Sequence, residues 1–291
     1  MNSESEIQAL IALLDDSDPE VFDHVAARLI SYGPMVIDQL EDAYTTIPNP
    51  VMQERIEDLI HRIQFVGVQE ELSAWARQEN GDLLTGWLII NRHQYPDLDE
   101  EAIRTTIARI HKDIWIGINT YLSPLEQMNV VNQSIFSQYG FAGLQQQDDE
   151  QRFAYINNML DAFKGNHFAI GLLYLALCQQ LDMPVYGVCL SAHFVLARTK
   201  DYIVDFNLQE ENRQDILFYI NPYNKGLAFG EREIYTYLKR LQLAEDNKYF
   251  VPASNRQVLA EYVRHLMRFI KKPSEQYKMD DLQTLEEILI A

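Results

Sequence analysis

Three polar side chains stand where a predicted helix or strand begins or ends. His167 opens a long apolar stretch, "HFAIGLLYLALC", which predicts a buried helix, and His193 lies in "SAHFVLART", which predicts a strand. Asn221 closes a second strand-like run, "ILFYIN". An imidazole can act as a general base and an asparagine can orient it, which serves acyl transfer when a nucleophile lies within about 2.6–3.2 Å. None of the three residues is a thiol, so a thiol-dependent centre would need its nucleophile from elsewhere in the chain.

Two cysteines remain as candidate nucleophiles. Cys178 lies eleven residues after His167, far from the helix N-terminus whose field would lower the pKa of a thiol. Cys189 comes four residues before His193 and would be the nucleophile of a relocated centre. A free cysteine in an apolar run ordinarily packs as a small apolar side chain, and we favour that interpretation for both residues.

Asp205 is an alternative partner for His193, because it lies twelve residues after His193, a spacing that a hairpin can close. The alternation of half-buried strands favours instead an exposed carboxylate at this position. His167 and His193, with Asp205 or a water, also suggest a metal site, but no ligand spacing supports one. We therefore predict no metal and no cofactor. The other histidines are interpreted as ordinary surface or boundary residues of helices: His24, His61, His93, His111 and His265.

The elements that position these residues follow from apolar periodicity. Residues 3–64 predict four short helices in two similar pairs, which resemble HEAT-like repeats, with Asp16 or Ser17 as the cap of the second helix. Residues 68–140 predict further helices, capped at Asp97 or Asp99 and at Ser123. After the helix at His167, four runs predict strands before helices return: "PVYGVCL", "HFVLART", "DYIVDFNL" and "ILFYINP".

These elements predict an α+β fold, in which helices surround a small antiparallel sheet. We divide the chain into a HEAT-like helical region at 1–66, a second helical part at 67–150, and an α+β core with C-terminal helices at 151–291.

The segment from about Leu83 to Leu238 resembles the bacterial transglutaminase-like family of the SirB type. Five motifs carry the resemblance, in the order of the family: "LLTGWLIINRHQYPDLD", "SPLEQMNVVNQSIFSQYGFAG", "KGNHFAIGLLYLALCQQLDMPVYGV", "SAHF" and "INPYNKG". The resemblance implies a papain-like and transglutaminase-like core.

The same resemblance assigns roles to the three polar residues. It puts His167 at the place of the nucleophilic cysteine, His193 at the catalytic histidine and Asn221 at the aspartate. Papain-like proteases use asparagine in this last role, so the missing thiol is the decisive departure. We predict a protein that binds a protein or peptide partner without catalysis. The alternative is a thiol- or His-dependent hydrolase or acyl transferase that acts on peptide amides with a relocated centre.

Composition excludes several classes of partner. The net charge of −19 and the pI of about 4.7 argue against nucleic acid and against an anionic membrane surface, both of which need clustered Lys and Arg. The start "MNSESEIQAL" does not have the pattern of a signal peptide, and the longest apolar run, Phe168–Cys178, is too short to span a bilayer. We expect a cytoplasmic protein.

Overall fold

The structure, a computed structural model of the 291-residue chain, describes residues 3–16, 18–46, 49–79, 81–190, 193–207 and 209–291. The helices are α1 (Ser3–Leu13), α2 (Pro19–Ser31), α3 (Ile37–Thr46), α4 (Pro50–Ala76), α5 (Leu83–Arg92), α6 (Glu100–Gly117), α7 (Pro124–Asn132), α8 (Ile156–Ala162), α9 (His167–Gln180), α10 (Gln209–Gln214), α11 (Glu231–Arg240), α12 (Asn255–Met267) and α13 (Gln276–Ile290). The strands are β1 (Ala142–Gly143), β2 (Lys164–Gly165), β3 (Val185–Leu190), β4 (His193–Thr199), β5 (Ile216–Asn221) and β6 (Leu227–Phe229).

The N-terminal helices form two packed pairs, α1 with α2 and α3 with α4. The N-cap of α2 is Asp18, whose side chain accepts a hydrogen bond from the backbone N–H of Glu20 at 2.9 Å. The cap predicted at Asp16 is therefore wrong, because that carboxylate accepts from the backbone N–H of Asp18 instead. Ser17, the other predicted cap, lies outside the described residues.

Helix α4 is one continuous element of 27 residues, and it runs through the boundary predicted at residue 66. Its first half buries one stripe in a core formed with α1, α2 and α3: Met52, Ile56, Leu59 and Ile63. Its second half buries another stripe in the main core: Phe65, Val68, Leu72 and Trp75. The step of two residues between the stripes turns the helix by about 200° at 3.6 residues per turn. The helix therefore faces two cores on nearly opposite sides.

The helix starts of the middle region confirm two predicted caps. The Asp99 carboxylate accepts from the backbone N–H of Ala102 at 2.9 Å and begins α6. Ser123 and Glu126 form a reciprocal capping box at α7.

The main sheet is an antiparallel meander in the order β3-β4-β5-β6. The strand predicted at "DYIVDFNL" is wrong, because the described part of this run, residues 201–207, is a loop. Short polar side chains bind its backbone locally. Asp205 accepts from the backbone N–H of Asn207 at 2.8 Å, and Thr199 donates to the carbonyl of Asp201 at 2.7 Å. Helix α10 follows this loop along the chain.

Helix α9 lies at the centre of the fold, and all residues from Phe168 to Cys178 are buried. It packs against β3 and β4 and against α5, α6 and α8. Residues of α11 cover the opposite face of the sheet with a separate apolar cluster, which includes Val188, Val195 and Ile234. The fold is of the predicted α+β class. None of the helices in the described ranges combines the length and the apolar character that crossing a bilayer requires.

Candidate functional site

His167 is the first residue of α9 and lies at the meeting point of three elements. The helix starts there because the Asn166 side chain accepts a hydrogen bond from the backbone N–H of Ala169 at 2.9 Å. The half-buried His167 ring lies 5.3 Å, centroid to centroid, from His193 and 4.7 Å from His265. The two histidines that the sequence predicted to share a site are therefore neighbours, and a third joins them.

His193 lies close to His167 because the next residue, Phe194, packs against α9. The Phe194 ring stacks on Phe168 at 5.0 Å and fills the space above two glycines. A β-carbon at Gly171 would lie 2.3 Å from Phe194, and one at Gly187 would lie 2.9 Å from it. The glycines thus let β3 and β4 approach α9 closely enough to place His193 beside the helix start.

Asn221 lies at the end of β5 and lines the same cavity as the two histidines. Its side-chain oxygen accepts a hydrogen bond from the backbone N–H of Asn224 at 3.1 Å and so closes the turn after the strand. Gly226 completes the turn at φ +71°, and its carbonyl accepts from the Asn132 side chain at 3.0 Å. Asn221 therefore shapes the wall of the cavity through this turn.

The cavity has a volume of about 280 Å³. Its polar side carries His167, His193, Asn221 and Tyr223, and Glu233, Tyr237 and Arg240 also line it. The remaining lining is apolar and consists of Leu190, Phe194, Val195, Leu227, Phe229 and Ile234. The arrangement combines apolar walls with a few polar groups, as small binding pockets ordinarily do.

The structure does not bring Cys189 to His193. In the register of the sheet His193 pairs with Leu190, whereas Cys189 pairs with Phe194. Adjacent pairs along two strands point to opposite faces, so the thiol and the imidazole lie on different sides of the sheet. Burial also raises the pKa of the Cys189 and Cys178 thiols above the ordinary value, which keeps both protonated at neutral pH.

Asp205 is also away from His193. His193 begins β4, and the loop that carries Asp205 leaves from the other end of that strand, after Thr199. The exposed carboxylate accepts hydrogen bonds from the backbone and the side chain of Asn207.

His265 belongs to the site, and its interpretation as a surface or boundary residue is wrong. Its side chain comes from α12, is buried, and receives a hydrogen bond at Nε2 from the Asn166 side chain at 2.8 Å. Its position on the apolar stripe of α12, with Tyr262 and Leu266, was the available signal. The same interpretation is wrong for His93, which is buried at the end of α5.

The three histidines of the site are neutral at pH 7. Burial, reinforced by His265 and His193, lowers the pKa of His167 to about 3. Burial and then Arg268 lower the pKa of His265 to about 4. Burial and then Arg240 lower the pKa of His193, against the opposing effect of Glu150. These rings therefore offer lone pairs rather than positive charge.

One cluster of the site has the composition of a metal-ligand set. One potential ligand atom each from Glu150, His167 and His265 lies within 4.8 Å of the other two. The sequence did not indicate this cluster, because its members are far apart in the chain and meet only in the fold.

The Transglutaminase-like superfamily domain matches residues 101–264, which is more than half of the chain and includes α9 and the main sheet. The chain belongs to this superfamily. His167, His193 and Asn221 lie within the matched range, whereas His265 comes directly after its last residue.

Two curated relatives are similar to part of this chain. They are the UPF0162 proteins of Xylella fastidiosa strains Temecula1 and 9a5c, each 24% identical over 153 residues. The aligned segment covers 52% of this chain and 50% of each relative, so the chain spans about half the length of the curated relatives it matches. No solved structure matches the chain.

Proposed function

We propose that the chain is a non-catalytic transglutaminase-like protein of the SirB type, which binds an extended protein or peptide segment at the cavity beside His167. Its N-terminal helices would form a HEAT-like extension, as their two packed pairs suggest. A cytoplasmic location accords with the two unpaired cysteines.

The observation that carries the proposal is the chemistry at the start of α9. The superfamily's thiol hydrolases need a thiolate there, and this chain has the neutral imidazole of His167. Neither thiol replaces it. Cys178 is fully buried within the helix, and Cys189 lies on the face of the sheet opposite to the one that carries His193. The remaining His193 and Asn221 supply no nucleophile of their own.

The sheet edge next to the cavity supports an extended partner. Strand β6 is the last strand of the meander, so one side of its backbone lacks a strand partner among the described residues. Leu227 of this strand lines the cavity, and 56% of its surface is exposed. A peptide that adds to the edge of a sheet gains backbone hydrogen bonds and inserts alternate side chains into neighbouring pockets. The apolar walls of this cavity suit one such apolar side chain.

The test compares two substitutions of the same type. A peptide display library is selected on the full chain, and the affinities of the selected peptides are measured for Leu227→Arg and for Leu217→Arg. Leu217 is 48% exposed on neighbouring β5 but does not line the cavity. We expect Leu227→Arg to weaken binding at least tenfold, about 1.4 kcal/mol, and Leu217→Arg to leave it unchanged. Equal affinities of the two variants would contradict the proposed site.

The hydrolase alternative has a separate readout. The convergence of His167, His193 and Asn221 is the observation in its favour. Turnover of a peptide amide or ester that is lost in His193→Ala would overturn the non-catalytic proposal, even if peptides also bind.

A further inference from the structure

We propose that Glu150, His167 and His265 form a binding site for a divalent transition metal of the zinc class. This proposal is independent of the proposed function, since a metal could bind here without a peptide in the cavity. Its three residues come from different parts of the fold: the loop before α8, the start of α9 and the end of α12.

Two buried nitrogen atoms point to a missing ligand. Nε2 of His167 and Nδ1 of His265 are shielded from solvent and have no hydrogen-bond partner among the described residues. His265 itself is only 4% exposed. A buried polar atom without a partner destabilises the folded state by about 1–3 kcal/mol. Two such atoms on neighbouring rings are uncommon in a folded protein unless a ligand binds between them.

The ligand chemistry is that of a zinc site. One nitrogen of each ring and one carboxylate oxygen of Glu150 lie within 4.8 Å of one another. Two imidazoles and one glutamate, with a further position open, are a ligand set that zinc uses in proteins. The rings are already neutral at pH 7, so a metal does not have to displace a proton from a charged imidazolium. The negative charge of the Glu150 carboxylate would offset one of the two positive charges of the zinc ion.

Asn166 determines which nitrogen of His265 is available. Its oxygen caps α9 at Ala169, so its amide nitrogen must face Nε2 of His265 and donate to it. In the metal-free ring the proton therefore resides on Nδ1. Binding at Nδ1 removes that proton and requires one on Nε2, so the ring releases no net proton. The Asn166 side chain must then turn its oxygen toward Nε2 and give up the cap.

The need for an acceptor at Nε2–H of His265 suggests a substitution of Asn166 that should strengthen zinc binding. In Asn166→Asp, one carboxylate oxygen can keep the cap while the other accepts from Nε2–H of His265. Ligating histidines ordinarily donate their second N–H to such an acceptor, and changes of that partner alter metal affinity by about 10–100-fold. We therefore expect Asn166→Asp to bind zinc about tenfold more tightly than the natural sequence.

The experiment titrates ZnCl2 at pH 7.5 into the full chain, prepared without a histidine tag and stripped with EDTA, in a calorimeter. We expect one zinc per chain. Glu150→Gln and His265→Gln should weaken binding at least about tenfold, and Asn166→Asp should strengthen it. His24→Gln is the matched control, because His24 is exposed on α2 and far along the chain from the site.

Either of two results would overturn the metal site: no binding to the stripped chain, or equal affinity in Glu150→Gln and the natural sequence. Glu150 is exposed, so its substitution should leave the fold intact; circular dichroism checks His265→Gln. Leu227→Arg should bind zinc normally. If zinc fails to bind while peptides still do, the metal inference fails and the proposed function stands.

Discussion

Asn166 joins the start of α9 to His265 of α12 with a single side chain. Its oxygen caps the helix at Ala169, and its amide donates to Nε2 of the imidazole at 2.8 Å. One residue thus caps the first turn of the central helix, sets the proton position of a buried histidine and links α9 to α12.

Substitutions of Asn166 should separate these roles. Asn166→Ala removes the cap, worth about 0.5–2 kcal/mol, and leaves Nε2 of His265 without a partner, which costs about 1–3 kcal/mol more. Asn166→Ser keeps a capping oxygen but has no amide, so it should lose only the second contribution. Urea unfolding of metal-free protein measures both differences. Equal stability of the alanine and serine variants would show that the cap contributes nothing.

His93 should make the protein less stable in mild acid. Burial lowers the pKa of His93 from 6.5 to about 4, although Asp281, 3.6 Å away, opposes the shift, and His61 and Lys278 reinforce it. The unfolded chain binds a proton near pH 6.5, whereas the folded chain resists one until about pH 4. The contribution of His93 is therefore complete above pH 6.5 and is lost as pH falls toward 4.

That loss should reach about 3 kcal/mol, from about 1.4 kcal/mol for each pKa unit. The measurement is the urea midpoint between pH 7.5 and pH 4 in the natural sequence and in His93→Gln, which should have a shallower dependence. His24→Gln should follow the natural sequence. Parallel curves for His93→Gln and the natural sequence would contradict the assignment.

Gly171 should tolerate no side chain. The β-carbon of Gly171→Ala would lie 2.3 Å from the Phe194 ring, so β4 or the ring must move, at a cost of about 1–3 kcal/mol. Gly67→Ala is the matched change in another helix interior, where a β-carbon meets nothing within 4 Å. It should stabilise the protein by about 0.5–1 kcal/mol, through the better helix propensity of alanine. Thermal unfolding of the two variants should therefore shift in opposite directions.

The two thiols should react slowly and independently of the histidines. Burial raises the pKa of Cys178 and of Cys189, so little thiolate is present at pH 7.5. Iodoacetamide labelling followed by mass spectrometry should give the same slow rate for Cys189 in the natural sequence and in His193→Ala. A slower rate in His193→Ala would restore Cys189 as a nucleophile.

The sequence indicated the order of elements better than the composition of the site. The apolar run after His167 predicted the buried helix, and the capping residues Asp99 and Ser123 were local signals that the structure confirms. The strand predicted around Asp205 failed because polar side chains bind the backbone of that loop locally. The apolar stripe of α12 could have indicated that His265 is buried, but not that it belongs to the site. Its contact with Asn166 joins residues 99 positions apart, and no local pattern records such a contact.

The number of residues between Ile63 and Phe65 of α4 is constrained by two separate cores, because each stripe of the helix must face its own core. Since each residue advances a helix by about 100°, inserting a single residue between Ile63 and Phe65 would rotate one apolar stripe away from its core. Substitutions on the exposed face are tolerable, but insertions and deletions here are not. The middle of α4 should therefore keep a fixed length among related chains that retain both cores, even where the identities of its residues drift.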